Sequence, residues 1–225
     1  MNDIIASQKF ICRRKIFTVL VCILVSSFSL FSAAALAPTM AEALSNAGSM
    51  GMMVTAMLLP GIIITSTYTD RIAMYEIMAG YRPHQILLGK AMVYLPFTLI
   101  YLLAAALISL KTDMDQDTVI RLILYSMICI RATLCIVFLS PLFKQGSFAP
   151  AFSCMTLMAV STEYEIARSP LSLLVFGQTA LLGAEITEGY IIKVILTTII
   201  ACASYYIVGY VTLKKHFMLE PEPLA

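Results

Sequence analysis

Few residues in this chain could do covalent chemistry, and their spacing argues against it. Only two histidines are present, His84 and His216. There is no His-Glu-x-x-His zinc pattern, no Gly-x-Ser-x-Gly elbow and no pair of aspartates inside an apolar run. Gly89-Lys90 has the ending of a phosphate-binding loop, but His84 stands where the earlier glycine belongs and Ala91 where Ser or Thr must follow. The six cysteines are Cys12, Cys22, Cys129, Cys135, Cys154 and Cys202. They form no Cys-x-x-Cys pair and all but Cys12 lie in apolar runs, which makes them small apolar residues rather than ligands or disulfides. The expectation is a chain with no catalytic residue, no metal site and no cofactor of its own.

One charge stands deep in an apolar run. Arg131 at a helix centre in a bilayer costs at least about 2.5 kcal/mol, so it should face protein or water. It either lines a polar path, or pairs with an outer acid such as Glu163 or Glu165, or fixes the packing of its own helix.

The polar stretch Asp70 to Lys90, DRIAMYEIMAGYRPHQILLGK, interrupts the apolar runs of the first half. It predicts a short amphipathic helix over Arg71 to Ala79, stopped by Gly80 and held off from the next segment by Pro83. Ile72, Tyr75 and Ala79 share one face with Met78 beside them, while Arg71 and Glu76 stand elsewhere on the same turns. Such a helix either docks something at a membrane surface or merely connects.

The elements that position these residues follow from composition. The 225 residues are 60% hydrophobic and 12% charged, with a mean hydropathy of +0.90. Soluble domains carry about 25% charged residues, so a bilayer must cover this surface. The net charge of +2 excludes nucleic acid as a natural partner. The length allows roughly six spans in one all-α transmembrane domain, with no separate soluble domain.

Residues 1–15 carry Lys9, Arg13, Arg14 and Lys15 and predict an interfacial helix on the cytoplasmic face, its cations toward lipid phosphates. Ile4, Ile5, Gln8 and Ile11 make no clean stripe in it. Spans are expected at Ile16 to Ala37, Met50 to Tyr68, Ala91 to Leu110, Thr118 to Leu139, Ser147 to Ser161 and Tyr190 to Leu213. The first also resembles a secretory signal, but its apolar run exceeds a signal core. Pro60-Gly61 and Pro96 fall inside two of these spans. Leu171 to Gly183 is too short to cross and fits a re-entrant hairpin broken at Gly177-Gln178, within the outer loop 163–189.

With residue 1 inside, the inner segments hold ten basic residues, Lys9, Arg13, Arg14, Lys15, Arg71, Arg82, Lys90, Lys144, Lys214 and Lys215, against Lys111, Arg121, Arg168 and Lys193 outside. The positive-inside rule favours that orientation, with both termini cytoplasmic. Small residues such as Gly48, Gly51 and Ala104 to Ala106 suit close helix packing. The 14 methionines suit an adaptable apolar surface or plain packing.

This order of parts resembles the permease subunit of bacterial ABC exporters of the type-two permease superfamily. The likeness covers nearly the whole chain by topology: a basic N-terminal helix, two spans, a cytoplasmic coupling helix, three spans, an outer hairpin and a last span. Its local match is Tyr75-Glu76-Ile77-Met78-Ala79-Gly80 followed by Gln85-Ile86-Leu87-Leu88-Gly89-Lys90. The resemblance implies a non-enzymatic transport subunit in the bacterial plasma membrane. Two permease copies, identical or related, would form the path, and each would dock on a separate ATPase that holds ATP and Mg. The docking surface would be Ile72, Tyr75, Glu76, Met78 and Ala79, with Arg71 and Arg82 at its edge and Gly80 giving the sharp exit. Arg131 would lie on the path or pair within the bundle, and Phe176, Gly177 and Gln178 would form an outer gate. The compact build is similar to exporters of amphipathic peptides such as bacteriocins. The short fifth span and small outer domain depart from the pattern. An alternative of another class is a membrane immunity protein that sequesters a toxic peptide without ATP. A secondary carrier has no support, since no inverted repeat or intramembrane acid is found.

Overall fold

The computed structural model of the chain describes residues 2–36, 61–64, 72–109, 116–142 and 188–215. These are helical, with no strand among the described residues. The expected spans over Met50 to Tyr68 and Ser147 to Ser161 lie almost wholly or wholly outside them, as does the hairpin over Leu171 to Gly183.

The elements are α1 (Asn2–Arg14), α2 (Ile16–Leu36), α3 (Ile72–Met78), α4 (Pro83–Ser109), α5 (Gln116–Leu139), a 3-10 turn (Ser140–Leu142) and α6 (Glu188–Leu213). The ends of α2, α5 and α6 agree with the expected spans to within two residues. Two stretches among the described residues, Leu122–Leu142 and Val194–Leu213, are long and apolar enough to cross a membrane.

Two boundaries have clear local causes. Gly80 takes φ of 86°, where an L side chain is strained. Its N–H donates to Ile77 O at 2.9 Å, and the next N–H, of Tyr81, donates to Glu76 O at 3.2 Å. That pair of bonds is a Schellman closure, which satisfies carbonyls the ending helix orphans. Pro83, expected as a spacer, instead opens α4 as its first residue, where a missing N–H costs nothing. The Gln85 side chain reaches back to accept from Arg82 N at 3.0 Å, half of a capping box. The helix at the third expected span therefore begins eight residues before the expected start, and α4 runs 27 residues through Pro96.

Side-chain pairs fix the directions. Asp3 meets Tyr81 and Gln8 meets Tyr94, so α1 runs alongside the start of α4 in the same sense. Arg131 meets Thr197 and Phe138 meets Tyr206, so α5 and α6 are also parallel. Helix α4 returns into α5 through the short 110–115 connection and is tied to it by Thr98 and Thr133, 2.6 Å apart and buried. Thr133 gives its own proton to Cys129 O, which leaves Thr98 as the donor between helices.

A buried apolar cluster joins α1 to α6: Ile4 and Ile11 of α1, Ile86, Leu87 and Ala91 of α4, Val137 and Phe138 of α5, and Leu213 of α6. Gly209 packs so closely on the backbone carbonyl of Phe138 that a Cβ there has no room. Tyr206 meets Phe138 edge to face at 5.5 Å and stacks on Tyr210. Outward, α2 exposes Phe17, Leu24 and Phe28, and α6 exposes Ile192, Leu196, Ile199 and Ile207. Faces of that kind are stable in hydrocarbon and unstable in water.

Candidate functional site

Helix α3 is only seven residues long, below the length at which a helix holds itself in water. It is held from behind by a buried polar cluster built from three elements. Glu76 points inward, 6% exposed. Its Oε1 accepts a hydrogen bond from Gln8 Nε2 of α1 at 3.1 Å. Its Oε2 lies 3.7 Å from Lys90 Nζ of α4, a charge contact rather than a hydrogen bond. Gln8 uses both ends of its amide, since its Oε1 accepts from Tyr94 OH at 3.4 Å. Gln8 and Lys90 have no solvent exposure. A buried ion pair repays its desolvation only with such added bonds, so its value lies in fixing position.

Two further contacts brace the same junction. Tyr81 OH donates to Asp3 Oδ2 at 2.6 Å. That bond, followed by partial burial and the nearby charges of Asp3 and Glu76, holds the Tyr81 phenol above its usual pKa. Gly89 lets α1 approach: a Cβ there would stand 2.9 Å from Ile4 Cγ2. Gly89 and Lys90 therefore act together, one admitting the N-terminal helix and the other gripping the acid of α3.

The expected docking surface divides. Tyr75 and Met78 stand in the open at 68% and 76% exposure, and Ala79, Gly80 and Arg82 are exposed beside them. Glu76 was expected on that surface and is turned away from it, because Gln8 and Lys90 claim its carboxylate. Ile77 is half-buried against the core. Ile72 begins the helix, and Arg71 lies outside the described residues.

Arg131 is fully buried between α5 and α6, with Nη1 donating to Thr197 Oγ1 at 3.4 Å. Cys135, one turn further along α5, lies near Tyr205 of α6 in the same seam. This contact fits the packing reading of Arg131. Glu163 and Glu165, its other expected partners, lie outside the described residues, as do Phe176, Gly177 and Gln178.

Sequence reasoning passed over Gln8, Tyr94, Asp3 and Tyr81. One signal was present: Gln8 spoils the apolar stripe of α1 at the position that faces Glu76. Among the described residues no group of three His, Cys, Asp or Glu could hold a metal ion. The arrangement is a short helix, exposed on one face, seated on two longer ones. No family model, no curated protein and no solved structure matches the chain.

Proposed function

We propose that this chain is the membrane-spanning subunit of an ATP-driven exporter. Helix α3 is the element that receives force from a separate ATPase, and a second permease copy completes the path. The observation that carries this reading is the seating of α3. A seven-residue helix presents Tyr75 and Met78 to the outside while Glu76 and Ile77 anchor it to α1 and α4. Tyrosine and methionine on a rigid mount are suited to a partner's groove, and a rigid mount passes displacement on to α4.

The helix directions support about six crossings, since α2 and α4 leave the junction on the same side, as a crossing and return between them requires. The same argument applies to the parallel pair α5 and α6. In this reading Lys214 and Lys215, exposed at the end of α6, lie on the cytoplasmic side with α1 and α3. An amphipathic peptide is the cargo that the apolar build suits best.

The test is site-directed cross-linking between Tyr75→Cys or Met78→Cys and an ATPase that co-purifies with this chain, with and without ATP. Cross-links that change in yield with nucleotide, together with loss of export in Tyr75→Ser/Met78→Ser, are expected. Export or immunity that persists with no ATPase present overturns the reading.

A further inference from the structure

Helix α1 ends in exposed cations, and α2, which follows it directly, begins an exposed apolar strip. On α1, Lys9, Phe10, Arg13 and Arg14 are exposed, while Ile4, Gln8 and Ile11 are buried on the opposite side. The helix is interrupted at Lys15 alone. Two backbone bonds bridge that break, Lys15 N to Ile11 O at 3.0 Å and Val19 N to Lys15 O at 3.1 Å. Beyond it α2 exposes Phe17, Leu24 and Phe28, which share one face of that helix by their spacing of seven and four. The cations at the end of α1 thus lie within a turn of the start of an exposed apolar strip.

The charge around them is one-sided. Arg82, Lys214 and Lys215 are exposed at the same end of the bundle. Of the acids described there, Glu76 is buried against Lys90 and Gln8, which leaves Asp3, exposed and bonded to Tyr81, as the one surface acid against Lys9, Arg13, Arg14, Arg82, Lys214 and Lys215. The inward capture of Glu76 leaves the surface field positive. A zwitterionic lipid gains little from such a field, whereas an anionic headgroup gains from each cation. Guanidinium groups also pair with phosphate through two parallel bonds.

We propose that this face binds an anionic phospholipid, with its phosphate on Arg13, Arg14 and Lys9 and an acyl chain along Phe17 and Leu24. The site does not depend on any ATPase, so it stands or falls separately from the transport reading.

The test uses the full chain purified in a neutral detergent. Phosphatidylglycerol, phosphatidylcholine of the same acyl chains and inorganic phosphate are titrated separately, and bound lipid is counted by native mass spectrometry. Phosphatidylglycerol should bind about tenfold more tightly than phosphatidylcholine. Inorganic phosphate, lacking a chain, should not displace it. Lys9→Gln/Arg13→Gln/Arg14→Gln should erase the preference while the helical content stays unchanged. Phe17→Ala/Leu24→Ala should weaken both lipids alike. Lys214→Gln/Lys215→Gln should leave the preference in place, which separates this face from the general charge of that end. Equal binding of the two lipids, displacement by free phosphate, or a preference that survives the triple substitution overturns the proposal. If the triple variant fails to fold, Arg13→Gln/Arg14→Gln alone decides, by the same loss of preference.

Discussion

Lys90 and Glu76, fourteen residues apart, face each other across 3.7 Å with side chains 0% and 6% exposed. They stand at the two ends of the stretch that links α3 to α4, and their contact closes that stretch into a loop of fixed shape. Gln8 adds a third element from far along the chain. The position of α3 is therefore set by two helices at once.

Removing one member of this pair leaves a charge buried without its counter-charge. Glu76→Ala or Lys90→Met should each cost about 3–5 kcal/mol of stability. The double variant Glu76→Leu/Lys90→Met should recover much of that loss, because no buried charge remains. Thermal unfolding in detergent, run as a double-mutant cycle, checks this. Additive losses would mean that the two groups do not interact in the folded chain.

Gly89 should show a sign change with its background. Gly89→Ala gains about 1 kcal/mol of helix propensity, but its methyl meets Ile4 Cγ2 at 2.9 Å. Ile4 is 1% exposed and cannot swing away freely. The substitution should be neutral or destabilising in the native chain, and stabilising by up to about 1 kcal/mol once Ile4→Ala has removed the obstacle. The same unfolding measurement in both backgrounds decides.

Gly209→Ala has no such escape, because its new methyl meets the backbone carbonyl of Phe138 rather than a side chain. Helices α5 and α6 must separate, at about 1–3 kcal/mol. The Phe138 and Tyr206 rings, at 5.5 Å, should part with them. A lowered melting temperature with unchanged helical content is the expected result.

The Tyr81 and Asp3 contact gives a pH dependence of known sign. The folded-state pKa of Tyr81 is raised, first by its hydrogen bond to the Asp3 carboxylate and then by partial burial. A raised pKa means the contact contributes fully below about pH 10, the ordinary phenol value, and is lost as pH climbs through the raised one. The melting temperature of the native chain in detergent should fall as pH rises above that range. Tyr81→Phe should start lower at neutral pH and lose that part of the alkaline fall.

Where apolar runs stand alone, the helices were legible from sequence. The ends of α2, α5 and α6 fall where hydrophobicity starts and stops, since desolvating a charge sets those limits. The start of α4 was not legible by that rule. Its first turns carry His84, Gln85 and Lys90, and their polarity hides the continuity that Pro83 and the Gln85 cap provide. The site was half legible. Local spacing placed Tyr75 and Met78 on one face, because a helix face depends only on neighbours along the chain. The inward turn of Glu76 depends on Gln8, at a separation of 68 residues, and no local pattern carries such a partner.

The seat of α3 also bears on the order of events at the ribosome. Helix α1 is made before its partners, which lie 68 to 86 residues later, at Glu76, Tyr81 and Tyr94. Until that stretch has emerged, Gln8 and Asp3 have only water or headgroups to bond, and the amphipathic face of α1 must wait at the bilayer. Anything that pins α1 elsewhere during that interval would leave α3 without the partners that lock it in place.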